Sequence, residues 1–267
     1  MRVAVAGGTG LVGGYVVREL TAAGHEPVVL ARSRGVDLVT GAGLDAALAG
    51  AEAVVDVSNL ETTRARTAIA FFDSAGRHLL DAGARAGVLH HVVLSIVGLE
   101  RVGLGYYQGK LRQEELVTKG GTGGNRDGAG AVPWTVLRAT QFHEFPLQVL
   151  GQVPGPFAVV PRMRTQPVAA REVARHLVEL VLGSPRGRAP ELAGPRVEEL
   201  VDMARRVLRV RGRRRLLLPV KMPGGAGTAM VEGGNLPTGS AGPRGRQTFD
   251  EWLAEYAGQG EKEVRGE

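Results

Sequence analysis

The sequence predicts an α/β fold, a doubly wound parallel sheet with a small, partly helical C-terminal region, and three observations lead there. Short apolar runs of strand length alternate with segments whose apolar residues recur at helical spacing. A glycine-rich turn, AGGTGLVGG, separates the first such run from the first helical segment. With 267 residues, of which 43% are apolar and 22% charged, the chain can bury one substantial core.

The elements follow in order. Residues 2–6 (RVAVA) and 27–31 (PVVLA) read as strands, and between them Leu11, Val12, Tyr15, Val16 and Leu20 mark an amphipathic helix. The unit then repeats, with a third short strand expected from Val36 to Val39, a short helix from Leu44 to Leu48 and a strand from Ala53 to Val57. A helix is expected from about Thr62 to Ala86, a strand from His91 to Ile96, a helix over 108–118 and a sixth strand from Trp134 to Arg138. Such alternation implies a parallel sheet covered on both faces. The glycine-rich stretch over 119–132 reads as a surface loop or a lid. Beyond Gly151 come proline-rich turns, helices from Ala170 to Leu182 and from about Glu198 to Val210, and an amphipathic segment from Phe249 to Tyr256. The expected division is a nucleotide-binding domain over 1–150 and a substrate-side region over 151–267 on the same core.

Composition excludes several chemistries. There is no cysteine, hence no disulfide, thiolate metal site or cysteine nucleophile. No apolar run approaches the ~18 residues of a membrane span, and the N-terminus lacks the features of a secretory signal, so a cytoplasmic protein is expected. His90 and His91 have no companions at metal-ligand spacing, so no metal is expected. The net charge is +6, and the basic run through Arg205, Arg206, Arg209, Arg211 and Arg213–Arg215 lacks interleaved aromatics, so it reads as a solvated helix end. The expected partner is a small-molecule substrate, with no nucleic acid and no membrane; a homo-oligomer is left open.

The turn after the first strand carries Gly8, Gly10 and Gly13 at G-x-G-x-x-G spacing and Gly7, Gly10 and Gly13 at G-x-x-G-x-x-G spacing. Glycine there lets backbone approach a pyrophosphate, which the following helix N-terminus attracts. Gly7, Gly8, Thr9, Gly10, Leu11, Val12 and Gly13 are therefore candidate cofactor contacts. An NAD site would place an acidic residue roughly 20 positions further on. This chain has Ala31-Arg32-Ser33-Arg34. A guanidinium and a hydroxyl suit a 2′-phosphate, so Arg32 and Ser33 point to NADP(H). Asn59, ending the fourth strand-like run, is a further candidate contact.

Tyr106 and Lys110 stand four apart at a helix start, and Ser95 ends a strand, where open α/β sheets place ligands. Hydride addition to a carbonyl leaves an alkoxide that needs a proton. A phenol could give it if a nearby ammonium lowers its pKa. Lysine is a marked choice here, since only four of the 33 basic residues are lysine. Tyr107 is the second candidate acid, and Tyr107, Phe142 and His143 are candidate substrate contacts.

The glycine turn, Arg32, Ser95, the Tyr106-x-x-x-Lys110 spacing and PWTVLRATQFHEF resemble the short-chain dehydrogenase/reductase superfamily, in its atypical NmrA-like, NAD(P)H-binding branch. QPVAAREVARHLVEL, ELAGPRVEELV and TFDEWLAEY extend the resemblance over nearly the whole chain. The resemblance implies a Rossmann domain, NADPH as cofactor, and Ser95, Tyr106 and Lys110 as catalytic positions. The expected function is NADPH-dependent reduction of a small carbonyl or quinone-like compound. The alternatives are a non-catalytic NADP(H) redox sensor and a cofactor-retaining sugar-nucleotide epimerase.

Overall fold

The computed structural model describes residues 1–120, 131–152, 154–239 and 242–265, so most of the glycine-rich loop expected over 119–132 lies outside the described residues. In chain order the elements are β1 (Arg2–Ala6), α1 (Leu11–Ala22), β2 (Glu26–Leu30), α2 (Leu44–Leu48), β3 (Ala53–Asp56), α3 (Ala65–Ala86), β4 (His90–Ile96), α4 (Leu99–Val102), α5 (Gly105–Thr118) and β5 (Trp134–Ala139). They continue with α6 (Phe145–Gly151), β6 (Phe157–Pro161), β7 (Arg164–Thr165), α7 (Ala170–Leu182), β8 (Gly187–Arg188), β9 (Glu198–Glu199), α8 (Leu200–Val210), β10 (Leu216–Val220), α9 (Gly224–Val231) and α10 (Phe249–Arg265).

Two compact units emerge. The first comprises Met1–Arg138 and Ala170–Pro190, and the second Ala139–Ala169 and Glu191–Glu267. Where the sequence suggests one cut at 150, the chain leaves the first unit at the end of β5 and returns for α7 and β8. The return has a packing cause: α7 buries Val173, Ala174, Leu177 and Val181, and packs on α1, β3 and β4.

The first unit is built on a six-stranded parallel sheet of order β2-β1-β3-β4-β5-β8. The central strands are buried throughout, as β1 and β3 show with Val3–Ala6 and Ala53–Val55 fully covered. Successive β4 side chains point to opposite faces. Val93 packs with Leu80 of α3 and Leu116 of α5, while the His90 ring meets the backbone of Val181 and Gly183 at the end of α7. The sheet is thus covered on both sides, as the alternation of elements requires. Helices α3 and α5 approach closely at Gly109, where a Cβ would fall 2.7 Å from the Phe72 ring.

The third strand expected from Val36 to Val39 does not form. Asp37 accepts hydrogen bonds from the backbone N–H of Val39 (2.7 Å) and Thr40 (3.3 Å), folding the segment on itself as a turn. The sheet therefore ends at β2.

In the second unit β6 pairs in parallel with β10, and β7 antiparallel with β9. Helix α8 packs on α6, β6 and α10, burying Leu200, Met203, Ala204 and Val207. Phe249 and Trp252 of α10 stack at 5.5 Å.

Candidate functional site

The sheet order reverses between β1 and β3, and in an open parallel sheet that switch opens a crevice beyond the strand C-termini. The glycine turn lies there. Gly7 has φ +79°, and a Cβ on it would sit 2.7 Å from the Val57 carbonyl oxygen. At Gly13 a Cβ would fall 2.1 Å from the Gly7 oxygen and 2.7 Å from the Gly8 Cα, so α1 is seated directly on its own entry turn. Gly10 caps α1 without a side chain, and Thr9, Gly10 and Leu11 are exposed, while Val12 and Gly13 are buried beneath them. A helix so capped keeps its first N–H groups for an outside acceptor. Beyond β2, Arg32–Arg34 form a single 3-10 turn that is exposed along its length, and among the described residues the Arg32 guanidinium makes no ion pair.

At the end of β3 the structure joins two expected site residues. The Tyr106 hydroxyl donates to Asn59 Oδ1 at 2.5 Å. Tyr106 stands in the first turn of α5, which begins at Gly105 rather than at 108, and its ring meets Phe72 edge-on at 5.9 Å. Burial, reinforced by Tyr107 beside it, holds the Tyr106 phenol well above the usual tyrosine range. Tyr107 is itself 7% exposed, with its ring 6.4 Å from that of Tyr106.

Lys110 and Ser95 go elsewhere. The Lys110 ammonium donates to the Leu94 carbonyl (2.7 Å) and to Gln113 Oε1 (2.5 Å), and lies 4.8 Å over the Phe72 ring. Phe72 thus touches both Tyr106 and Lys110. Burial pushes the Lys110 ammonium down to about 8, against the pull of Asp56 and Glu114. The lysine expected to lower the tyrosine pKa is instead engaged beneath the helix, because a four-carbon stem on a buried position reaches the sheet carbonyls first. Ser95 is 2% exposed and its hydroxyl faces the Glu114 carboxylate, whose charge it favours without full hydrogen-bond geometry.

These two residues lead into a polar layer under α5 that sequence reasoning missed. Gln113 Nε2 donates to Asp56 Oδ2 at 2.7 Å, and Asp56 Oδ1 accepts the Ser58 N–H at 2.9 Å, so the chain from Lys110 ends at the loop bearing Asn59. Glu114 accepts a fork of hydrogen bonds from Arg138 at 2.8 and 2.7 Å and one from Arg188 at 2.7 Å. Burial opposes the Glu114 charge, but Arg138, Ser95 and Arg188 together hold its carboxyl below the usual range. Arg138 also forks onto Glu100. The available signal was the i,i+3 and i,i+4 spacing of Gln113 and Glu114 from Lys110.

Phe142 and His143 belong to the second unit. His143 is fully buried, with Nε2 3.1 Å from the Gln247 carbonyl and its ring 5.9 Å from both Phe249 and Trp252, so it packs in the core of that unit. Phe142 is half-buried and bridges Val168 through its backbone.

No protein-family model and no curated protein matches the sequence. Solved structures do match over the whole chain. MoeE5 in complex with UDP-glucose and NAD superposes with a TM-score of 0.73 at 16% identity, covering 99% of this chain and 100% of that one. A short-chain dehydrogenase/reductase superfamily protein from Agrobacterium tumefaciens with bound NAD gives 0.69 at 17% identity, covering 100% of both. The NADPH-dependent quinone oxidoreductase QOR2 of Escherichia coli, complexed with NADPH, gives 0.66 at 17% identity, covering 95% and 99%. With its six-stranded parallel sheet, its glycine turn at the switch point and these neighbours, the chain has a Rossmann-type fold like theirs.

Proposed function

We propose that the protein is an NADP(H)-dependent oxidoreductase that reduces a small carbonyl or quinone-like compound. The observation that carries this reading is the meeting of Tyr106 and Asn59 at the strand edge that also holds the glycine turn. The residues fit a dinucleotide: Gly7 and Gly13 leave no room for a Cβ, and α1 starts without a side-chain cap. The backbone from Gly8 to Gly13 would hold the pyrophosphate, and Arg32 and Ser33 the 2′-phosphate. Known neighbours of this fold carry NAD or NADPH, which supports a nicotinamide cofactor and leaves the choice to Arg32. The bound cofactor would supply a hydride.

The chain's own part is a proton. Tyr106, kept protonated by burial, releases it from its hydroxyl to the new alkoxide. An alkoxide is about as basic as hydroxide and a stronger base than a phenolate, so the transfer runs downhill even from a phenol weakened as an acid by burial. Asn59 Oδ1 holds that proton in the free chain, so the hydroxyl must turn from Asn59 to the alkoxide for the transfer, and water then returns a proton to the phenolate. Lys110 acts from below as a positioning residue, bracing α5 against Leu94 and, through Gln113, against the β3 loop. Ser95 sits on the same inner face with Glu114.

The test is a titration with NADPH, NADH, NADP and NAD on wild type and Arg32→Ala, followed by turnover of a carbonyl and quinone panel by wild type and Tyr106→Phe. We expect an NADPH preference that Arg32→Ala removes, and a fall in kcat of about 10²-fold or more in Tyr106→Phe with cofactor affinity kept. A preference that survives Arg32→Ala refutes the role of Arg32, and equal turnover in Tyr106→Phe refutes the role of Tyr106.

One observation favours a second reading. Lys110 is engaged by Leu94 and Gln113 and the phenol is a weak acid, which suits a redox sensor that binds NADP(H) without turnover. It predicts unequal affinity for NADPH and NADP with no turnover of the panel.

A further inference from the structure

The basic run beyond α8 plays no part in the site above, and the second unit sets it beside something the sequence did not show. Arg205, Arg209, Arg213, Arg214 and Leu216 line a groove of about 490 Å³ between α8 and the start of β10. Some of the arginines there are committed. Arg205 pairs with Asp202, Arg211 lies 5.9 Å over the Tyr256 ring, and Arg215 donates to the Leu150 and Phe157 carbonyls. Arg209, Arg213 and Arg214 are exposed and, among the described residues, make no ion pair.

The groove opens onto the β6–β10 pair through Leu216. Leu216 stands opposite Phe157 and Leu218 opposite Val159, so these four side chains share one face. They are 60%, 50%, 40% and 41% exposed, while Ala158 and Val160, pointing the other way, are buried in the unit. A sheet face open to water normally carries polar side chains. This one carries none, and beside it stand cations that make no ion pair among the described residues.

We propose that this face docks on an anionic lipid bilayer, with Arg209, Arg213 and Arg214 against the headgroup anions and Phe157, Val159, Leu216 and Leu218 in the apolar boundary beneath them. The pairing of cations with adjoining apolar side chains matches what an interfacial surface needs. A nucleic acid would satisfy the arginines and leave the apolar row in water. A second copy docked face to face would bring the same arginine cluster against itself. The mode needs no spanning helix, and none of the described helices is long and apolar enough to cross a membrane. The surface lies wholly in the second unit and does not depend on the cofactor reading.

The test uses the full chain in sedimentation with vesicles of phosphatidylcholine alone and of phosphatidylcholine with phosphatidylserine. We expect binding to the anionic vesicles only, weakening with salt. The triple variant Arg209→Gln, Arg213→Gln, Arg214→Gln should lower the partition on the order of a hundredfold, from about fivefold, or about 1 kcal/mol, for each arginine. The double variant Phe157→Ser, Leu216→Ser should weaken binding while keeping its salt slope. Circular dichroism and thermal unfolding of each variant check that the chain still folds, and Leu218→Ser serves as a second apolar-row variant if the double one does not. Three results overturn the proposal: no sedimentation with anionic vesicles at low salt; binding to duplex DNA that needs the arginines but not the apolar row; or a concentration-dependent dimer in sedimentation velocity that the apolar variants abolish.

Discussion

Replacing Lys110 with methionine should change how stability depends on pH, by an amount that follows from its burial. The ammonium lies under α5, held by Leu94 and Gln113, with its pKa at about 8 against an ordinary 10.5. At about 1.36 kcal/mol per pH unit, that gap makes the buried charge cost the fold about 3 kcal/mol below pH 8. Between 8 and 10.5 the folded chain has released this proton while the unfolded chain still binds it, so the wild type gains stability as pH rises through that window. Methionine carries no proton and has no such term. Urea unfolding followed by circular dichroism should therefore show the stability of wild type, relative to Lys110→Met, rising by roughly 2–3 kcal/mol from pH 7 to pH 10. Orphaning the Leu94 carbonyl and Gln113 destabilises the variant by about 1–3 kcal/mol at every pH. That offset shifts the whole difference and leaves its slope intact. Curves that run parallel from pH 7 to pH 10 would refute the buried, depressed ammonium.

Two further outcomes test other parts of the first unit. Gly13→Ala places a Cβ 2.1 Å from the Gly7 oxygen, so the glycine turn must move. We expect a loss of about 1–3 kcal/mol in thermal unfolding and of cofactor binding by calorimetry, and unchanged binding would show that the turn does not form the nucleotide site. Glu114→Gln leaves Arg138 and Arg188 without the carboxylate they share, and should cost about 3–5 kcal/mol in urea unfolding, given that Glu114 is 2% exposed. A loss below about 1 kcal/mol would make the cluster no stronger than a surface pair.

What the sequence disclosed and what it hid have a common logic. The β1–turn–α1 unit was legible because the alternation of apolar residues and the glycines both answer to local geometry, and α2 and α7 fall where their periodicity puts them. The missing strand at 36–39 was not, because VDLV has a strand's composition while Asp37 gives its backbone a competing set of hydrogen bonds. The spacing of Tyr106 and Lys110 correctly put both on one side of α5, yet spacing is silent on where a long side chain ends. Phe72, from the separate helix α3, meets both of them. The polar layer of Asp56, Gln113, Glu114 and Arg138 joins three separate stretches of chain, and only the fold assembles it.

The turn at 36–39 also decides the fate of the sheet's margin. With β2 outermost, its outward backbone groups are open to a strand from another molecule, the geometry from which aggregates grow. Pro27, paired with Val3 on the inner side, has no N–H to offer a newcomer, and proline is tolerated in a strand chiefly at such a border. Glu26 beside it is exposed and charged, bonded to Arg2 at 2.7 Å. The sheet thus carries at its open margin two residues that discourage a stranger from completing it.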